Sequence, residues 1–288
     1  MKASLRGAGG AVAPNDAQID WQQRANVATV MFADAQAAQA ESVLRKRREP
    51  LAGARTGEIT CAKCNLRETC LSGCVPAEDL EQVENIVYAR RRVTRGERLF
   101  NAGDRFTCIY AIRGGFFKTS IVDSAGREQV TGFFMGGEPL GLDGLGGGHY
   151  MSSATALEDS NVCSMPYLLI KKMAQDVPSL QRGFHSVLAR EIIRGHGVML
   201  LLGSMSARQR MAAFLINLSK RYLRRGYSRS DFLLRMTRDE IGSYLGLKLE
   251  TVSRVFSMFH KDGLIDVQQK QVSIADMEGL ERVFAQGD

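Results

Sequence analysis

Between residues 85 and 165, short apolar segments at 86–88, 98–100, 108–112, 116–122, 130–134 and 161–165 are separated by Gly96, Gly103-Asp104, Gly114-Gly115, Gly126 and Gly136-Gly137. Segments this short, punctuated this regularly, predict a small antiparallel barrel or sandwich. The glycine-rich run 144–148 lacks the Gly-Lys-Ser/Thr ending of a phosphate-binding loop and reads as a turn. From 179 to 203 the period becomes helical. Phe184, Leu188, Ile192, Met199 and Leu202 keep one apolar seam along that helix, which suits a partner helix in a homodimer as well as the barrel. Gly195 and Gly197 weaken the helix locally while allowing close backbone approach.

The last third is the best punctuated. Ser206-Ala-Arg-Gln209 and Thr237-Arg-Asp-Glu240 have the form of capping boxes, in which hydroxyl and N3 side chain satisfy each other's orphaned amides, so each starts a helix. The first helix carries Met211, Phe214, Leu215, Leu218 and Tyr222 on one face. The second turns Ile241, Tyr244 and Leu245 inward and closes at Gly246. A third follows over 249–261, with Val252, Val255, Phe256 and Phe259 buried, and the alternation of Ile265, Val267, Val272 and Ile274 predicts a two-stranded wing. With that stripe inward, Glu250, Ser253, Arg254 and Ser257 share the opposite face at i, i+3, i+4 and i+7, free to read base edges. Thr251 and Arg238 complete the candidate DNA-binding set. Arg208, Arg210, Lys220, Arg221, Arg224, Arg225, Lys248, Lys261 and Lys270 offer positive charge for phosphates.

Chemistry enters at Cys61-Ala-Lys-Cys64-Asn-Leu-Arg-Glu-Thr-Cys70, where three thiols fall within ten residues. Closing a four-thiolate zinc or iron-sulfur site needs a fourth ligand, from Cys74, Cys108 or Cys163. No apolar run reaches the length of a membrane span and no cleavable leader is evident, so a cytoplasmic location is expected. In that reducing compartment the six cysteines read as metal ligands or thiols rather than disulfides. The net charge of +7 permits a nucleic-acid partner without requiring one. Residues 1–57, rich in Ala, Gly, Gln and Arg and carrying the basic run Arg45-Lys46-Arg47-Arg48, are expected to form a mobile extension.

Cysteine arm, glycine-punctuated barrel, long helix and winged helix-turn-helix, in that order, resemble the cyclic AMP receptor protein superfamily. Within it the chain is most similar to the fumarate and nitrate reduction regulator (FNR) branch. The motifs carrying this are Cys-x2-Cys-x5-Cys at 61, 64 and 70, Leu99-Phe-Asn-Ala-Gly-Asp104, Ile109-Tyr-Ala-Ile-Arg-Gly114, Glu128-Gln-Val-Thr-Gly-Phe133, Ala156-Leu-Glu-Asp-Ser-Asn-Val-Cys163 and the stretch from Met236 to Arg254.

The resemblance implies an α+β chain: a cysteine arm and cyclic-nucleotide-binding-like antiparallel β-barrel (jelly roll) over 58–178, a dimerisation helix over 179–205, and a DNA-binding winged helix-turn-helix over 206–288. It implies Cys163 as the fourth ligand of an oxygen-labile 4Fe-4S cluster. It also implies a homodimer on an inverted-repeat TTGAT-type DNA site, with Glu250, Ser253 and Arg254 reading bases. An RNA polymerase contact is implied around Arg127, Glu128 and Gly132. The chain is then an oxygen-responsive activator or repressor of anaerobic metabolism, and not an enzyme.

It departs from the family's pattern at Lys248, a poor cap for the recognition helix, at Gly195 and Gly197, and in the wing turn 268–271, which lacks Gly or Asn. The rival signals on the same fold are a cyclic nucleotide, zinc or thiol redox chemistry. A cyclic phosphate would need an Arg-Ser pair, whereas the chain offers Met151-Ser152-Ser153. A redox enzyme or electron carrier would have no use for a capped winged helix.

Overall fold

The structure, a computed structural model, describes residues 60–286 except Asn85 and Tyr88, and only the backbone of Gln82 and Val83. All of these belong to one compact unit, 55–288. The extension expected over 1–57 lies outside the described residues.

The arm runs through four short 3-10 turns (Cys61–Lys63, Arg67–Thr69, Leu71–Cys74, Ala77–Asp79) into helix α1, Leu80–Glu84. Eight strands follow: β1 Ala89–Val93, β2 Arg98–Phe100, β3 Cys108–Gly114, β4 Phe116–Val122, β5 Glu128–Met135, β6 Pro139–Leu140, β7 Ser153–Ala156 and β8 Ser160–Pro166. They form two antiparallel four-stranded sheets, ordered β1-β8-β3-β6 and β2-β7-β4-β5, which is the jelly roll. The segment at 86–88 is not a strand: Ile86 is a fully buried turn residue and β1 begins at Ala89. Tyr88 is outside the described residues. Gly115, at φ +100, carries the tight connection between β3 and β4, where a Cβ would overlap Ser160.

Between the sheets lie Phe100, Ile109, Ile112, Phe117, Leu140 and Val162, joined by Leu71 and Val75 of the arm. Strand β5 serves two cores. Pairing with β4 skips Thr131, since Thr119 faces Gly132 and Ser120 faces Val130. That bulge puts Val130 on the same side as Phe133 and Met135, which face away from the barrel core holding Phe134.

Helix α2, Tyr167–Asp176, leads into α3, Pro178–Ser204, which runs unbroken through Gly195 and Gly197. Next come α4 (Ala207–Leu223), β9 (Asp231–Leu233), α5 (Arg238–Leu245), α6 (Leu249–Lys261), β10 (Ile265–Gln268), β11 (Gln271–Ile274) and α7 (Met277–Gln286). Both capping boxes form, with Gln209 and Glu240 as the N3 partners, and Gly246 ends α5 in the left-handed region. The wing is not two-stranded: β9 pairs with β11, giving a sheet ordered β10-β11-β9. Its hairpin turn puts Gln269 at φ +56, a position that favours Gly or Asn. The helices and small sheet from Ser206 onward do not pack as a separate body. Phe116, Val130, Phe133 and Met135 of the barrel share one core with Phe214, Leu215, Ile241 and Phe256.

Candidate functional site

The arm's thiols sit where its turns begin and end. The Cys64 N–H donates to the Cys61 carbonyl at 3.3 Å, the Arg67 N–H to the Cys64 carbonyl at 3.1 Å, and the Cys70 N–H to the Leu66 carbonyl at 3.1 Å. Gly73 is required because a Cβ there would overlap the Arg67 carbonyl. Leu66, Leu71 and Val75 are buried and anchor the winding segment, so apolar contacts rather than a helix hold the cysteines in place.

Opposite the arm, β8 carries Cys163 between Arg90 of β1 and Ala111 of β3. Cys61, Cys64, Cys70 and Cys163 line one cleft of about 470 Å³, partly open to solvent, walled by Leu66, Leu71, Val87, Ala111, Ile112 and Met165. Burial, then Cys70, Glu84, Cys163 and Cys64, pushes the Cys61 thiol up to about 12. Burial also raises the Cys70 and Cys163 thiols. Hydrogen bonds from Ser72 pull back on the first, and the Arg90 and Arg113 guanidinium groups on the second. Mutually repelling thiolates in an apolar cleft lose their protons together only against a cationic partner. Among the described residues no group of three or more His, Cys, Asp or Glu side chains is disposed to hold a metal ion. The four thiols rim a cleft instead.

The other two cysteines lie elsewhere. Cys108 is on β3, three residues from Ala111 and therefore on the opposite face of the strand, and burial raises its thiol. Cys74 packs against Gly183 of α3, its sulfur 3.9 Å from the Arg190 guanidinium.

On α6, Glu250, Ser253, Arg254 and Ser257 are all exposed, and Val252, Val255, Phe256 and Phe259 are buried behind them. The Arg254 guanidinium donates to the Thr251 hydroxyl at 3.4 Å, which draws the half-buried threonine into the same surface. Lys248 gives no side-chain cap. Arg238 stacks its guanidinium 3.3 Å over the Phe256 ring, and burial lowers it to about 10, so it braces α6 from behind.

Four of the expected phosphate-binding arginines are committed internally, Arg208 by its ion pair with Asp262 at 3.1 Å and its place over the Phe259 ring. Arg210 donates to the carbonyls of Met205, Leu202 and Leu245, tying α3 and α5 to α4. Arg221 and Arg225 bind Glu138 of the barrel. Lys220, Arg224, Lys248, Lys261 and Lys270 remain exposed.

Along α3 the seam residues divide. Phe184 is half-buried against the barrel and Tyr167, and Leu202 lies beside Gly246 at the end of α5. Leu188 is half-buried, whereas Ile192 and Met199 are exposed, as are Ile193 at 68% and Leu200 at 58%. The last two form a neighbouring heptad row that the single-seam reading misses. Of the residues expected to face RNA polymerase, Arg127 is exposed and paired with Asp123, and Glu128 is paired with Lys118. Gly132 is buried under Phe134 and Arg194, so it offers no surface.

The Crp-like helix-turn-helix domain model matches residues 209–283, and the cyclic nucleotide-binding domain model matches 90–176. The chain is 44% identical over 226 residues to the transcriptional regulatory protein btr of Bordetella pertussis, covering 78% of this chain and 93% of that one. It is 37% identical over 222 residues to the fumarate and nitrate reduction regulatory protein of Escherichia coli, covering 77% and 89%. The chain belongs to the CRP/FNR family of transcription regulators. Among solved structures of this family's fold, FixK2 from Bradyrhizobium japonicum superposes with a TM-score of 0.64 at 26% identity, over 69% of this chain and 98% of that one. Family membership makes the chain a DNA-binding regulatory protein and not a catalyst, and fold and homology point to the dimeric CRP/FNR type. No helix among the described residues is long and apolar enough to cross a membrane.

Proposed function

We propose that this chain is an oxygen-responsive regulator in which Cys61, Cys64, Cys70 and Cys163 hold a 4Fe-4S cluster, and that the cluster governs a dimer binding inverted-repeat TTGAT-type DNA. The observation carrying this is that four cysteines, three on an irregular arm and one on a distant strand, line a single apolar cleft. Bound there, the cluster supplies the positive charge that lets four crowded thiols ionise, a covalent tie between arm and barrel, and oxygen-labile iron-sulfur bonds.

The donor set contains sulfur alone, the ligand chemistry of a thiolate-held iron-sulfur cluster. A cyclic phosphate has less to recommend it. Ser152 donates its hydroxyl to the Asp143 carboxylate at 2.6 Å, an anion where a phosphate pocket needs a cation.

The chain's own residues account for the rest. The arm packs on α3 through Cys74 and Gly183, and the Ser179 hydroxyl donates to Asp79 at 2.5 Å, so arm order bears on the helix whose exposed Ile192, Ile193, Met199 and Leu200 would meet a second copy. A dimer through that helix sets two α6 helices one DNA turn apart, each offering Glu250, Ser253 and Arg254 to the bases. Arg127 and Glu128, at the β4–β5 hairpin, are the surface left for RNA polymerase.

Iron, acid-labile sulfide and zinc, measured with a visible spectrum on protein purified without oxygen and then aired, test the reading. About four irons and four sulfides per chain, with absorbance that changes in air, are expected of a four-thiolate cubane. Zinc, or no metal, would contradict it.

A further inference from the structure

The β5–β6 turn, Gly136-Gly137-Glu138, touches the cysteine arm on one side and the DNA-binding module on the other. On the arm side, Leu66 and Thr69, which lie between Cys64 and Cys70, sit directly on its two glycines. A Cβ on Gly136 would come within 2.8 Å of Leu66 Cδ1, and one on Gly137 would overlap the Thr69 hydroxyl. Gly137 also has φ +87, so the close approach and the backbone conformation both demand glycine.

On the other side the turn grips the C-terminal end of α4. Arg221 donates to the Glu138 carboxylate at 2.5 Å and to the Phe133 carbonyl at 2.7 Å. Arg225 donates to the same carboxylate at 2.7 Å and to the Gly136 carbonyl at 2.6 Å. Glu138 in turn accepts the Met135 N–H, and its backbone is locked to Ile112 of β3 by reciprocal bonds at Gly137 and Glu138. The Arg225 side chain is 5% exposed. A buried charge trio with every partner placed is costly to disturb at one point and so moves as a unit.

We propose that this turn is a joint, with Glu138, Arg221 and Arg225 as positioning residues, that couples the order of the cysteine arm to the pose of the DNA-binding module within a single subunit. It acts in addition to the helix seam. When the arm is fixed, Leu66 and Thr69 hold the turn, and the turn holds α4. When the arm loosens, the glycine turn loses one of its two walls and the carboxylate loses its fixed backbone. The joint rests on the reading of the arm as the element that receives the signal.

Coupling of this kind is reciprocal, so it can be read from either end without metal. The full-length chain, metal-free, is compared with R225M and L66A by hydrogen exchange. R225M should speed amide exchange in the arm, 66–74, and L66A should speed it at the end of α4, each by about fivefold or more, the lower bound of ordinary coupling free energies. K220M, at an exposed position on α4, should do neither, and E138D should restore most of the protection lost in E138Q. Unchanged exchange in β7 and β8 shows that each variant is folded. Exchange changes confined to the mutated side in folded variants would overturn the joint.

The same samples, loaded without oxygen, separate the two claims. E138Q should keep its iron and sulfide but shrink the ratio of loaded to metal-free DNA affinity by about fivefold or more. A wild-type chain with no such ratio would sink the proposed function and leave the exchange result to decide the joint.

Discussion

At the scale of the residue, the account depends on which thiols share the cleft. Cys163→Ala should abolish iron and sulfide incorporation, whereas Cys108→Ala, on the opposite face of β3, should leave both unchanged, as metal analysis of the two variants will show. Arg254 makes the sharpest claim on α6. Arg254→Leu should cost roughly 1–3 kcal/mol per half-site for the specific sequence, the usual value of a bidentate base contact. Equal loss on all sequences in a binding titration would make it a phosphate contact. The sequence alone left the fourth ligand open among three cysteines. Strand register decides their placement, since β8 pairs Cys163 with Ala111 and so turns it to the arm. Arg221 and Arg225 were misread as surface charge because their partner, Glu138, lies far away in the chain and nothing local marks the pairing.

At the scale of the element, α3 carries an apolar face that the described residues leave uncovered. Ile193→Glu or Leu200→Glu should shift the loaded protein from dimer to monomer in sedimentation without loss of iron. A charge inside a packed seam goes unpaired and is costly. Retained mass would place the dimer contact elsewhere. The helices of the last third were legible because their signals are local: Ser206 and Thr237 cap, Gly246 terminates, and α6 runs over the stretch its apolar stripe marks. The strands Pro139–Leu140, Ser153–Ala156 and Asp231–Leu233 were not legible. Two to four residues are too few for an alternation to be told from chance, and each is a strand only because a distant partner presents an edge, as Tyr110 and Ala111 do for β6. The helix Tyr167–Asp176 was hidden for another reason: no capping side chain announces its start.

At the scale of the whole molecule, the barrel and the DNA-binding module are joined by an apolar core and by ion pairs. Lys118 of β4 bridges Glu128 and Glu240, the latter also the N3 residue of the α5 capping box. Ser243 of α5 accepts the Val130 N–H at 2.8 Å. Burial alone would raise the Glu138 carboxyl, but Arg221 and Arg225 outweigh it and hold the group below the usual carboxylate range. A depressed folded value contributes stability that is present above the ordinary glutamate pKa and is lost as pH falls through the lower folded one. The stability difference between wild type and E138Q should therefore be full near neutrality and shrink only at acid pH, below about 4. A difference constant across that range, by denaturant unfolding, would mean the carboxylate is not the group that holds the two modules.

The central claim is that the cluster held by the four cysteines controls DNA binding. It is tested most directly by titrating an inverted-repeat TTGAT duplex with protein kept free of oxygen, then with the same sample after air, while iron and sulfide are assayed alongside. Affinity that falls in step with the loss of sulfide, and that returns on anaerobic reconstitution, is the predicted result. Affinity for the duplex that is unchanged while the sulfide is lost would contradict the account.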